Sequence, residues 1–241
     1  MLWLSRITLN LNNFLKRQKE VAQTKQRKHT FMHTNTTFKE KTMAQARVLT
    51  ERELRKVLNF CNTQPHSSRN RTMLLCTHMA GMRVGEVAAL RICDVLAADG
   101  EIKAEISLSA SQTKGDKPRT VLVPKKLCDE LQHYLQQRFG LDSLKAVTQT
   151  DTQRALFPTQ KNPKRGFTAN TLCQLFHKIY KDSQMTGATS HSGRRTFITK
   201  LADKGVGVRV LMALAGHKSI ATTQRYIELN PTVMKAAVEL I

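Results

Sequence analysis

The sequence predicts a mostly helical α+β domain with one small antiparallel β-sheet. Three observations predict it. From Thr50 onward, apolar residues recur at helical spacing in most segments. Ile102–Leu108 instead alternates apolar and polar residues, as a strand does, and Arg119–Val123 follows as a second strand. Hydrophobic residues make up 40% of the 241, which supports a core and argues against wholesale disorder.

The elements follow in order. Thr50 and Glu53 form a capping box, and Leu54, Val57, Leu58 and Cys61 mark the apolar face of the helix it opens. A second helix runs over Ser68–Met79 and is broken by Gly81; a third starts near Val84. Lys114–Lys117 reads as the turn joining the two strands. Pro124 suits a helix start, with Leu127, Leu131 and Leu135 on its apolar side. Thr168 caps a helix that turns Leu172, Leu175, Phe176 and Ile179 inward. Further helices are expected over Ser192–Asp203, ending at Gly205, and over Val208–Leu214, ending at Gly216. Two more are expected over Ile220–Ile227 and Thr232–Leu240.

Charge bounds the partner. Lysine and arginine number 39 against 18 acids, a formal net charge of +21. Self-repulsion on that scale suits a protein whose usual partner is a polyanion, nucleic acid before an anionic membrane surface. No apolar run reaches the roughly 20 residues of a spanning helix, and a membrane partner is not expected. The five cysteines form no C-x-x-C pair, so a disulfide framework or zinc site is not expected. Residues 1–47 carry ten basic residues and two acids and read as a basic, disordered arm. Leu2–Leu15 could form a short amphipathic helix there, and Met43 is an alternative start. Residues 48–241 form the main domain.

Four clusters could carry chemistry. At a helix start, Arg83 can aim its planar fork at a phosphate with Glu86 one turn on to orient it; the plain alternative is a surface ion pair. Lys114 stands in the strand–strand turn, where it could donate a proton, contact phosphate or simply be solvated. His191 and Arg194, three apart, share a helical face and can address one anion; a structural histidine is the alternative. His217 precedes Tyr226 by nine positions, so the tyrosine could fold back beside the histidine or be a half-buried core residue. Tyr134 and Tyr180 are read as core.

Taken together and in this order, Arg83, Lys114, His191, Arg194, His217 and Tyr226 resemble the tyrosine recombinase, or phage integrase, family. The strings GMRVGEVAALR, TKGDKPRTVLVP, HSGRRTFIT and LAGHKSIATTQRYIE carry the likeness, which covers roughly Leu49–Pro231. The resemblance implies a tyrosine-recombinase-like catalytic domain in which Tyr226 attacks a DNA phosphodiester to give a 3′-phosphotyrosyl link. It implies that Arg83, Arg194 and His217 hold the phosphate oxygens, Lys114 protonates the leaving 5′-oxygen, His191 assists proton transfer and Glu86 steadies Arg83. The division is chemically sound. A phenol with a pKa near ~10 needs a cationic pocket or a base, and an alkoxide needs an acid. No cofactor and no metal are expected, since no carboxylates cluster to hold Mg²⁺ and no Walker-type loop is present.

The resemblance also implies double-stranded DNA as partner, a homo-oligomer (a tetramer on DNA) docked through the C-terminal helix bearing Val233, Ala237 and Leu240, and a cytoplasmic, nucleoid-associated location. Departures are few. Gly193 stands where family members commonly have leucine, and Arg195 where they have histidine; both are expected to touch packing more than charge. Residues 1–47 are too short for the family's usual N-terminal clamping domain. That shortfall motivates an alternative: a DNA-binding protein of a mobile element with weak or no turnover. Relaxation of supercoils in the manner of type IB topoisomerases is a third reading.

Overall fold

The computed structural model describes residues 45–113, 115, 117–226 and 238–239. The arm helix expected over Leu2–Leu15, Lys114, and all but Val238 and Glu239 of the expected last helix lie outside the described residues. The chain divides into two compact units, Met1–Gln45 and Ala46–Ile241, and every helix and strand described belongs to the second.

Helix α1 (Glu51–Asn62) opens on the expected capping box. The Thr50 hydroxyl accepts from the Glu53 N–H at 3.2 Å, and the Glu53 carboxylate accepts from the Thr50 N–H at 2.9 Å. Helix α2 (Ser67–Met79) starts one residue earlier than expected, and Gly81 follows it with φ +60°. Helix α3 (Val84–Ala89) is followed by a one-turn helix that the apolar pattern did not reveal, α4 (Ile92–Val95); the Asp94 carboxylate accepts from the N–H of Arg91 just before it at 2.8 Å, and the Ile92 and Cys93 N–H groups donate to the Arg154 and Thr152 carbonyls.

Strands β1 (Glu105–Leu108) and β2 (Arg119–Leu122) pair antiparallel, Ile106 opposite Val121 and Leu108 opposite Arg119. Both are shorter than expected. Ile102 pairs instead with Leu96 in a single bridge, and the link between the strands contains a 3₁₀ turn, Ala110–Gln112. The Gln112 side-chain amide explains the detour. It donates to the Ala89 carbonyl at 3.1 Å and the Asp94 carboxylate at 2.6 Å, which pulls the link onto the ends of α3 and α4.

Helix α5 (Lys125–Phe139) buries Leu127, Leu131, Tyr134 and Leu135 and stops at Gly140. Helix α6 (Ala169–Asp182) is capped by Thr168 and buries Leu172, Phe176, Ile179 and Tyr180, with Leu175 half-buried. Helices α7 (Ser192–Asp203) and α8 (Val208–Ala215) follow as expected. Helix α9 (Ile220–Gln224) ends earlier than its pattern suggested, so Tyr226 lies in the turn beyond it. Tyr134 and Tyr180 are core residues, and the Tyr134 hydroxyl donates to the Leu156 carbonyl at 2.8 Å. No helix among the described residues is long and apolar enough to cross a membrane.

Helix α2 is the hub, packing against α1, α3, α5 and α7. A helix enclosed on so many sides cannot keep a simple polar face, so its polar groups must be satisfied inside. Thr72 and Thr77 donate to the Ser68 and Leu74 carbonyls at 2.8 and 2.7 Å. His78 places Nε2 3.2 Å from the Tyr180 hydroxyl, while its Nδ1 has no partner among the described residues.

The α2–α7 contact is close enough to dictate a residue. A Cβ on Gly193 would lie 2.0 Å from the Thr77 Oγ1 and 2.8 Å from the Thr77 Cβ. Leucine, common here in the family, has no room in this chain. Gly193→Ala is therefore expected to destabilise the fold, whereas Gly85→Ala is expected to be neutral or to stabilise by up to about 1 kcal/mol through helix propensity. At Gly85 the nearest atom to an added Cβ is the Ala169 Cβ at an ordinary 3.7 Å. Urea unfolding of both variants checks the contrast.

Burial, aided by the charge of Lys200, holds the His78 imidazole down to about 3 from its ordinary 6.5. The unfolded chain therefore binds a proton that the native state refuses as pH falls from 6.5 toward 3. The contribution to stability is complete above 6.5 and is lost progressively below it. The loss between pH 7 and pH 5 should be smaller by about 2 kcal/mol in His78→Gln than in the unsubstituted chain, measured by urea unfolding at the two pH values.

Candidate active site

Helix α8 ends in a way that builds the site. Gly216 adopts φ +59°, its N–H bonds to the Ala213 carbonyl at 3.0 Å, and the His217 N–H reaches back to Met212 at 3.0 Å. This closing turn satisfies the earlier carbonyls and leaves those of Leu214, Ala215 and Gly216 without helical donors. Each is taken by a different arginine. The Arg119 Nη1 donates to Leu214 at 3.0 Å, the Arg194 Nη2 donates to Ala215, and the Arg83 Nη2 donates to Gly216 at 3.0 Å. Three cations thus meet the negative end of one helix dipole. Glycine is required at 216 on two counts: the left-handed backbone, and the Arg119 Cδ, which would lie 2.7 Å from an added Cβ.

Glu86 links two of these arginines. Its side chain is 1% exposed. Its carboxylate accepts from the Arg83 backbone N–H at 2.7 Å and Nη1 at 2.9 Å, and from the Arg119 Nη2 at 2.7 Å and Nε at 3.1 Å. Burial works to raise the Glu86 carboxyl, but hydrogen bonds and charge from Arg119, then Arg83, outweigh it and hold it below the usual carboxylate range. Glu86 thus engages Arg83 by main chain and side chain together.

Arg194 is the most isolated charge. It is 6% exposed, and its hydrogen bonds go to backbone carbonyls, Gly81 by Nη1 at 2.6 Å and Ala215. No carboxylate pairs with it among the described residues. Burial, with the like charge of Arg83 close by, lowers its pKa to about 9, so it stays protonated at neutral pH. A guanidinium has five N–H donors, and the described residues occupy two of them. The arrangement favours an incoming anion.

His217 follows the helix end directly. Its Nδ1 lies 2.9 Å from the Thr223 hydroxyl, and its ring stacks on Tyr226 with centroids 5.8 Å apart and planes 18° apart. Burial first, then the charges of Arg194, Arg83 and Arg119, bring its pKa down to about 4. At neutral pH it is an uncharged imidazole among cations. The Arg195 guanidinium lies over the Tyr226 ring at 5.9 Å, within cation–π range. Arg195 therefore brings charge to the tyrosine as well as packing, a correction to the sequence reading.

The sequence-predicted residues thus divide. Arg83, Glu86, Arg194, His217 and Tyr226 converge on the C-terminal end of α8. His191 caps α7 and is exposed, its Nδ1 3.4 Å from the Ser190 hydroxyl. Lys114 lies outside the described residues. The Thr113 hydroxyl donates to the Lys117 carbonyl at 2.6 Å, and the Lys218 Nζ stands 2.9 Å from where a Gly115 Cβ would be. Gly115 thus lies beside the side chain of the residue following His217. Sequence reasoning missed Arg119. The available signal was its phase, since Arg119 shares the inward phase of Val121 on β2, and an inward arginine asks for a buried partner.

A helical domain with one two-stranded sheet, a cluster of arginines at a helix end and a tyrosine stacked beside them has the fold of tyrosine recombinase catalytic domains. A model described as "Phage integrase family" matches residues 47–232, and the chain belongs to that family. Tyrosine recombinase XerA of Pyrococcus furiosus is 29% identical over 192 residues, which cover 79% of this chain and 60% of the relative. Tyrosine recombinase XerC of Proteus mirabilis is 28% identical over 178 residues, covering 74% and 53%. Among solved structures, the XerA recombinase crystal structure aligns with a TM-score of 0.61 at 25% identity over 80% of this chain and 64% of that one. XerH site-specific recombinase bound to difH substrate aligns at 0.56 with 23% identity, over 79% and 52%, a likeness of fold. The chain spans about three-fifths of the length of the XerA relative.

Removing Arg119 would strip the buried Glu86 of its two-toothed partner and free the Leu214 carbonyl. Arg119→Ala is expected to cost about 3 kcal/mol, read from chemical denaturation.

Proposed function

We propose that this protein is a site-specific DNA recombinase that cuts and rejoins DNA through a 3′-phosphotyrosyl intermediate on Tyr226. The observation that carries the reading is the convergence on one helix end of Arg83, His217, Tyr226 and Arg194, the last without a carboxylate partner among the described residues. Such a cradle suits a phosphodiester, whose pentacoordinate transition state gathers charge on its non-bridging oxygens. Loss of one preorganised donor to such charge costs roughly 3–4 kcal/mol.

The roles are those that the family resemblance implies for these residues. Arg83 and Arg194 hold the non-bridging oxygens, and neutral His217 adds a hydrogen bond. The Tyr226 oxygen attacks phosphorus and displaces the 5′-oxygen, to which Lys114 gives a proton. His191, exposed at the start of α7, assists proton transfer at the tyrosine. The phosphodiester's energy is retained in the phosphotyrosine, so the free 5′-hydroxyl of the partner strand can reverse the step without an energy source. The +21 charge supports double-stranded DNA as partner, and relatives solved with DNA, such as XerH on difH, point the same way. Each copy offers one Tyr226 and cuts one strand. Exchange between two duplexes therefore calls for four copies, which we assign to docking through the segment bearing Val233, Ala237 and Leu240, in the compartment that holds the DNA.

Incubation with nicked duplexes drawn from the ends of its own genetic element should give a denaturant-resistant protein–DNA adduct. Tyr226→Phe should give none while binding the same duplexes. Duplex binding without an adduct from either form would make the protein a DNA-binding factor without turnover and would sink the recombinase reading.

A further inference from the structure

The hydrogen bond between Thr223 and His217 decides more than orientation. Thr223 is 0% exposed, in the short helix α9. Its hydroxyl makes one hydrogen bond among the described residues, to the His217 Nδ1 at 2.9 Å. The usual outlet for a helical threonine is the carbonyl four residues back, as Thr72 uses on Ser68 and Thr196 on Ser192. Thr223 makes no such bond to Ser219, a described residue.

A hydroxyl carries one proton to donate, and burying that proton without an acceptor is costly. If Nδ1 carried the ring proton, two donors would face each other's oxygen and nitrogen with one left unmatched, the Thr223 proton. If Nδ1 is bare, the Thr223 O–H donates to it and both atoms are satisfied. The surroundings disfavour the doubly protonated ring as well, through burial first and then the charges of Arg194, Arg83 and Arg119.

We infer that Thr223 is a positioning residue whose hydroxyl donates to the His217 Nδ1, fixing the ring proton on Nε2 and so presenting an N–H donor to the phosphate. The inference rests on the proposed role of His217, but its first test does not need DNA. A ring with the opposite tautomer would turn a bare nitrogen lone pair toward an anion and repel it. Thr223 thus sets the sign of the His217 contribution without touching the substrate.

Long-range proton–nitrogen correlation spectra of ¹⁵N-histidine-labelled protein distinguish the two neutral tautomers, and a His217→Gln spectrum assigns the signal. At neutral pH the wild-type ring is expected to be in the Nε2–H form. Thr223→Val, which keeps the shape and loses the hydroxyl, should show a mixture of tautomers and form adduct about 10-fold more slowly on the nicked duplex that wild type cleaves. Duplex affinity should be little changed. Thr223→Ser should restore both the spectrum and the rate. An Nδ1–H ring in wild type, or a Thr223→Val protein with unchanged tautomer and rate, would overturn the inference. If the valine variant does not fold, the wild-type and serine spectra decide. Failure of the wild type to form any adduct would strike the recombinase reading and leave the tautomer result standing.

Discussion

Three like-charged guanidiniums do not gather without a reason. Here the reason is a helix that stops on Gly216 and leaves three consecutive carbonyls to be capped. Leu214, Ala215 and Gly216 present those oxygens from one turn, and Arg119, Arg194 and Arg83 reach them from β2, α7 and the start of α3. The partial negative charge of the helix end offsets part of the repulsion, and Glu86 offsets more. What is left is a cluster in which one buried carboxylate, Glu86, pairs with Arg83 and Arg119 while Arg194 has no carboxylate partner among the described residues. A phosphate is the natural remaining counter-charge.

The same helix end sets the histidine. His217 is the residue after Gly216, so its ring is delivered to the cluster by the backbone turn itself. Burial, then the cations, keep it uncharged, Thr223 engages one of its nitrogens, and its face carries Tyr226. Among the described residues the tyrosine ring meets His217 and Arg195, from a turn past the end of α9.

Much of this was legible in the sequence because it is local. The Thr50–Glu53 box, the terminators Gly205 and Gly216, and the apolar faces led by Val57, Leu131 and Phe176 each depend on neighbours within a few positions. The order of Arg83, Arg194, His217 and Tyr226 was legible through resemblance. What was not legible needed partners distant in the chain. The link between the strands detours because Gln112 finds Ala89 and Asp94. Arg119 gains its meaning from Glu86, 33 positions earlier, and from Leu214, 95 positions later. Gly193 reads as a deviation until Thr77 is seen against it.

The terminus of α8 also acts as a ruler for the whole domain. One added or lost residue between Val208 and His217 would turn the exposed carbonyls by about 100° around the helix axis and shift them by about 1.5 Å. All three arginine grips would then miss together, along with the histidine that rides on the same turn. Drift in length should accordingly be confined to the surface links, such as the exposed stretch 160–165, while the count of residues across this short helix stays fixed as the sequence diverges.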